Sequence, residues 1–416
     1  MPLLKTDVAV LGAGIVGVAT ALHLQQRGLG VALVDRHSAA AQETSFGNTG
    51  IIERASVDPY MFPRNFGTVL RYALNRSSDA RYHLSALPFV APWLWRYFRA
   101  SSPQGTAHTA RAALPLIERC LVEHEALMAA SGTAHLLRKA GWIQVFRSEA
   151  RRAEALRHAR SARELGLGAQ VLDVDALAKL EPHVRGARGG VHLTDPGLVS
   201  DPEALVQAYA AHFVAQGGVF LQGDARSLEV SQGGWQVMTQ QGPLLARQVV
   251  VALGAWASDI LAPLGYHLPL GIKRGYHMHY AAQGTATLTR TVLDSDAGYC
   301  LAPMARGIRL TTGAEFARRD APPTPVQLDQ CEPMARRLFP LAGRRDPAPW
   351  MGCRPCLPDM LPMIGQAGRH KGLWFNFGHH HHGLTLGPVT GRLLAEMLTG
   401  QTPFTDPAPY RSERFD

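Results

Sequence analysis

A chain of 416 residues is too long for one ordinary core, so two domains are expected, with interleaved segments allowed. Hydrophobic residues at 46% and charged residues at 18% exclude a disordered or fibrous chain and indicate a soluble globular protein. The formal charge of +9 comes from arginines scattered along the chain rather than one basic run, which argues against nucleic acid and leaves anionic substrates or an anionic membrane surface.

The five cysteines (Cys120, Cys300, Cys331, Cys353, Cys356) are odd in number and thinly spread, so no disulfide framework is expected and a reducing, cytoplasmic setting fits. Residues 8–26 contain no Asp, Glu, Lys or Arg, but their glycines, and Asp7 in place of a basic leader, exclude a signal core or membrane span.

Residues 7–12 (DVAVLG) read as a strand leading into Gly12, Gly14 and Gly17 and then a helix to about Gln26. Strand, glycine turn and helix is the context of a dinucleotide fingerprint. Gly12 permits the tight turn, Gly14 lets a pyrophosphate approach backbone N–H groups, and Gly17 allows close helix–strand packing. Ile15 and Val16 open the helix beside them. The next strand, VALVD, ends in Asp35 where a ribose-hydroxyl acceptor belongs, with Arg36 adjacent, and that acid disfavours NADP. These residues alone leave FAD and NAD both open.

NAD enzymes usually continue with helix–strand repeats, whereas here the pattern breaks into AAAQETSFGNTGII. Small polar backbone of this kind can run beside a cofactor, with Thr44, Ser45 and Asn48 offering hydrogen bonds and Thr49 and Gly50 following; an ordinary surface loop is the alternative. Residues 87–99 interleave aromatics with arginine, a composition suited to a membrane interface. Pro88 and Pro92 are expected to interrupt a clean amphipathic helix there, which favours a core-packed segment instead. Near residue 199 the dinucleotide domain resumes with a helix capped by Asp201, Pro202 in its first turn, and strand-like segments at 219–222, 227–230, 235–239 and 246–253 that close on Gly254 and Trp256. An aromatic strand at 372–378 ends in Gly378. Four histidines and the helix opening at Gly383, Leu384 and Thr385 follow, whose amides could stabilise negative charge on a reduced flavin ring.

Taken together, the N-terminal fingerprint, ETSFGNTG, LGAWAS, GCRPCLPDMLPMIG and GHHHHGLTLGP resemble the D-amino-acid oxidase and glycine oxidase superfamily of flavoproteins, with bacterial D-amino-acid dehydrogenases most similar. The resemblance covers nearly the whole chain in order. It implies FAD as cofactor and an α/β fold: a Rossmann-type FAD-binding domain (1–86, 190–265, 351–416) interleaved with an α+β, mixed-sheet substrate domain (87–189, 266–350). Strands read at 269–280, 289–294, 299–303 and 307–312 would belong to that second sheet. It also implies that Arg354, in Gly352-Cys353-Arg354-Pro355, binds the substrate carboxylate, for which a guanidinium is well shaped. A pairing of Arg354 with Asp359 is the structural alternative. Tyr276 and Tyr299 would close over substrate, or else serve as half-buried strand aromatics.

The four histidines at 379–382 depart from the family's usual turn. With Cys353 and Cys356 they suggest zinc, but Arg354 inside the cysteine pair opposes a metal ion, so no metal is expected. The turn is instead expected along the flavin, with His381 beside it and one imidazole, His380, reaching the pocket. The reaction implied is oxidative deamination of an amino acid, a D-amino acid by resemblance, to the 2-oxo acid, with electrons passed to a quinone or oxygen. A dehydrogenase of a secondary amine such as proline or sarcosine, and a flavin subunit that only relays electrons, are the rivals. Peripheral contact with the inner face of the cell membrane and the oligomeric state stay open.

Overall fold

The computed structural model describes residues 4–55 and 59–415. Its frame is two sheets. In the smaller, of seven strands, Val219–Ser231, Val31–Asp35, Leu4–Leu11, Gly242–Val251 and Leu373–Phe377 lie parallel in that spatial order, and Met363–Gln366 adds an antiparallel edge. The long strands Val219–Ser231 and Gly242–Val251 run past the parallel region and are joined there by Gly234–Thr239.

The central strands are buried on both faces, which is why they read as continuous apolar runs rather than alternating ones. Helices Ile15–Gln25 and Gly383–Leu398 cross on one face, and glycine sets how closely. A Cβ on Gly391 would lie 2.9 Å from the Thr20 amide, and one on Gly17 would lie 1.8 Å from the Gly12 carbonyl. Helix Pro202–Ala215 starts where expected, with Asp201 accepting from the Ala204 amide at 3.1 Å.

The larger sheet has eleven mixed strands and includes Gly271–Ala282, Thr291–Asp294, Tyr299–Met304 and Gly307–Thr311, at the four places read from the sequence. The expected division of the chain shifts at three points. Ala80–Tyr82, Gly190–Leu193 and Trp350–Cys356 pair within this larger sheet, although the expectation gave the first two segments, and the third from residue 351 on, to the cofactor domain. Ala80–Tyr82 and Trp350–Cys356 pair with strands far away in sequence, at Ala314–Phe316 and Gly271–Ala282, so local pattern did not reveal them.

A second departure concerns residues 87–99. A helix, Leu87–Ala100, forms through Pro92, with Pro88 in the first turn where its missing N–H is not needed. Trp93 and Tyr97 are buried one turn apart while Phe89 and Trp95 face outward at 61% and 60% exposure. The proline pair therefore does not break amphipathicity. Preceding it, helix Phe66–Ala73 has no buried residue and shows Phe66, Leu70 and the adjoining Leu74 to solvent.

Candidate active site

A cavity of about 980 Å³ runs from the carboxyl ends of the parallel strands to the face of the larger sheet, at the upper end of the range for small-molecule sites. At its first end Gly12 (φ +106°) makes the turn, and a Cβ there would lie 2.6 Å from the Ala252 carbonyl. Gly14 is the N-cap of the Ile15–Gln25 helix at φ −73°, so glycine is needed there for space rather than for conformation. The Ile15 amide donates to Ser45 Oγ at 3.0 Å, and the Ala13 amide donates to Asp35 Oδ2 at 2.7 Å. Asp35 thus braces the glycine turn while keeping lone pairs for a diol. The Arg36 guanidinium lies 4.3 Å over the Trp256 ring and pairs with Glu43.

Val16, Thr44, Ser45, Asn48 and Thr49 line the cavity with Gly254, Trp256, Gly383 and Leu384. Thr44 Oγ1 donates to the Cys353 carbonyl at 2.8 Å, which ties the polar loop to the strand carrying Arg354. Four expected cofactor contacts lie just outside. Gly17 and Gly50 are packing glycines, a Cβ on Gly50 lying 2.2 Å from the Val199 carbonyl. Gly378 (φ +81°) turns the chain beside Leu357, and Thr385 Oγ1 donates to the Ile51 carbonyl at 3.2 Å.

At the other end stands Arg354. Its Nη1 donates to the Gly313 carbonyl at 3.0 Å and its Nη2 to the Thr312 carbonyl at 3.3 Å, and the planar group lies over Gly275, where any Cβ would clash. Among the described residues no carboxylate pairs with it. The alternative partner, Asp359, is held by Arg414 at 2.7 Å. Burial pulls the guanidinium's pKa down, as for a cation awaiting an anion.

The two tyrosines sit differently from each other. The Tyr276 hydroxyl donates to Glu315 at 2.8 Å and accepts from Arg274 Nη2 and the Thr324 amide at the same distance, so it closes a buried network on the far side of its strand. Tyr276 also lines the cavity, but its hydroxyl is committed to that network. Tyr299 is packed in the core, while its neighbour Cys300 lines the cavity. For Tyr299 the difference is one of parity: successive strand residues point to opposite faces, and the cavity side belongs to Cys300.

His379 turns inward to Thr390 Oγ1 at 2.9 Å, while His380 (φ +43°), His381 and His382 crowd together with ring nitrogens within 4.8 Å of one another. Burial holds all four imidazoles below their ordinary pKa, so they are neutral near pH 7, His382 being lowered to about 4. The Nε2 atoms of His381 and His382 have no partner. Neither Cys353 nor Cys356 joins this group among the described residues. Glu53, Tyr60, Trp142 and Cys300 also line this end; no motif marks them, and only the three-dimensional closure of the sheet brings them together.

A glycine cradle at a helix start, an acid at the second strand's end and a long cavity leading to an unpaired arginine fit an extended dinucleotide with a reactive ring. The pattern of the FAD-dependent oxidoreductase (DAO) family matches residues 7–397. The chain belongs to this family. It is 30% identical to the D-amino-acid oxidase of Bradyrhizobium diazoefficiens, over 98% of both chains. To the D-amino acid dehydrogenase of Cereibacter sphaeroides it is 32% identical, over 98% of this chain and 95% of the other. The glycine oxidase of Geobacillus kaustophilus shares the fold with a TM-score of 0.75 at 23% identity, over 98% of each chain. The cofactor is therefore FAD, and the protein is an oxidoreductase of the DAO family with the mixed α/β architecture expected.

Proposed function

We propose that the protein oxidatively deaminates a D-amino acid to the 2-oxo acid. The observation that carries this reading is Arg354, a half-buried guanidinium with no carboxylate partner among the described residues, opening into the cavity beside the histidine turn. FAD, when bound, supplies the acceptor for the hydride that leaves Cα. Arg354 binds the substrate carboxylate in a bidentate fork, and the Thr312 and Gly313 carbonyls fix the plane of that fork. Neutral His380 or His381, at the same end, accepts a proton from the substrate ammonium, since an imidazole held neutral by burial has a free nitrogen to offer. The amides opening the Gly383–Leu398 helix, whose first residues line the cavity, would stabilise negative charge on a bound ring. The imino acid released hydrolyses in water to the 2-oxo acid and ammonia.

The residues that hold FAD in this reading are Gly12, Gly14, Ile15, Asp35, Arg36, Thr44, Ser45, Asn48, Gly254, Trp256, Gly383 and Leu384, all on the cavity wall. The D configuration follows the names of the two relatives. Phe66, Leu70, Phe89 and Trp95, interspersed with arginines on two adjacent helices, support peripheral contact with an anionic lipid surface and a quinone as electron acceptor. No helix among the described residues is long and apolar enough to cross a membrane. Stoichiometric release of 2-oxo acid and ammonia from a D-amino acid, with an artificial electron acceptor, tests the reading. Turnover confined to proline, hydroxyproline or sarcosine would replace it with secondary-amine oxidation, and no turnover at all with an electron-relay role.

A further inference from the structure

Besides Arg354, the substrate end of the cavity holds one charge-bearing group that the reaction does not use. Glu53 follows the short strand Ile51–Ile52, and its backbone amide is anchored to Thr385 Oγ1 at 3.1 Å. Its carboxyl lines the cavity with Tyr60, Trp142, Leu293 and Cys300. The other acids on the wall, Asp35, Glu43, Asp224, Asp259 and Asp320, either surround the adenine end or are already engaged, Glu43 with Arg36 and Asp259 and Asp320 with Arg319.

Two observations bear on what Glu53 meets. The first is strand order: Arg354 stands on Trp350–Cys356, which pairs with Gly271–Ala282, whereas Trp142 stands on a strand beyond Thr291–Asp294, and Cys300 lies on a strand between the two, all three lining one cavity with Glu53. Glu53 lies toward the Trp142 end of that wall, so a substrate whose carboxylate is on Arg354 meets it with its side chain rather than with its ammonium. The second observation is the wall itself: Tyr60 and Trp142 present aromatic surface beside the carboxyl, a setting that favours a cation over an anion.

The geometry points to Glu53 as the side-chain subsite of the pocket, selecting amino acids whose side chains end in a cation, an ammonium or guanidinium, over neutral chains of equal length. This rests on the amino-acid reading above. Burial raises the Glu53 carboxyl to about 8, opposed by the Trp142 indole N–H nearby, a group that forms no hydrogen bond of good geometry. A neutral side chain thus meets a carboxylic acid, whereas a cationic one favours the ionised form, the carboxyl proton passing to water, and meets a carboxylate.

The test compares kcat/KM for D-lysine and D-norleucine, which differ by the terminal ammonium, in flavin-loaded wild type and in Glu53→Gln. The expected result is a preference for lysine of about tenfold or more, set mainly in KM, that falls to near unity in Glu53→Gln. D-norleucine turned over as well as D-lysine by wild type overturns the inference and leaves the amino-acid reading standing. Turnover of neither, nor of any other amino acid, removes that reading and the inference with it. A lysine preference unchanged in Glu53→Gln also overturns the assignment. If that variant does not fold, the same ratio in Glu53→Asp decides, a preserved preference at raised KM being expected and an unaltered KM contradicting it.

Discussion

Lys273 and Arg354 stand opposite each other on the paired strands Gly271–Ala282 and Trp350–Cys356, and neither cation has a carboxylate partner among the described residues. The Lys273 ammonium lies 4.2 Å from the centre of the Tyr97 ring and 5.3 Å from that of Trp93. Arg354 is held by the Thr312 and Gly313 carbonyls. Arg354 is the cation on the cavity wall, and Lys273, packed against the aromatic rings behind it, adds positive charge to the same strand pair, which suits a substrate carboxylate. Arg354→Leu is expected to retain flavin and lose about a hundredfold in kcat/KM, roughly 3 kcal/mol of charge-assisted recognition. Steady-state kinetics on flavin-loaded variant measure this, and unchanged values would remove the carboxylate role.

Gly14→Val should give a folded but colourless protein. The φ of −73° accepts a side chain and the nearest obstacle, Ser45 Oγ, is 3.2 Å from an added Cβ, so the fold tolerates what the pyrophosphate cannot. A visible spectrum and a melting curve on the same sample check both halves. Retained yellow colour would contradict the cradle.

Tyr276→Phe should act on stability and not on turnover. Removing the hydroxyl leaves the Arg274 and Glu315 pair short of one partner and the Thr324 amide short of another, a loss of roughly 1–3 kcal/mol. Melting should fall by several degrees while kcat/KM changes little. A large fall in kcat with an unaltered melting point would restore the substrate role read from the sequence.

Acid should loosen the packing around the cofactor helix. The His124 ring donates Nε2–H to the Leu384 carbonyl, and burial lowers its pKa to about 4 from an ordinary 6.5. Above pH 6.5 the ring is neutral in folded and unfolded states, so its contribution is complete there. Between 6.5 and 4 the unfolded chain takes a proton that the native state refuses, and on the order of 3 kcal/mol is lost. Melting points across that window should fall steeply in wild type and less steeply in His124→Gln, which keeps a donor without the titration. Parallel slopes would contradict this assignment.

The adenine end of the site was legible because it is local. Gly12, Gly14, Gly17 and Asp35 fall within one strand–helix–strand unit, whose periodicity and glycine spacing depend on neighbours a few residues away. The ring and substrate end was legible only in part. Arg354 stood out by its motif, but which strand residues face the cavity depends on the parity of each strand, and sequence does not show which face a two-sided buried strand turns inward. Tyr299 packs in the core beside the cavity-lining Cys300 for this reason. Glu53 escaped because the signal that marks it, burial beside Trp142 and Cys300, comes from residues 89 and more positions away along the chain. The misjudged helix at Leu87–Ala100 has another cause: Trp93 and Tyr97, closing on Lys273, supply tertiary packing that outweighs the hydrogen bond lost at Pro92.

The central claim, that an amino acid bound by Arg354 delivers its hydride to FAD in this cavity, is tested most directly by the anaerobic half-reaction. Flavin-loaded wild type mixed without oxygen with D-amino acids, glycine, sarcosine and hydroxyproline isomers should lose its visible colour with a primary D-amino acid, and Arg354→Leu should lose it about a hundredfold more slowly at subsaturating substrate. Flavin-loaded wild type that keeps its colour with every member of the panel would contradict the account.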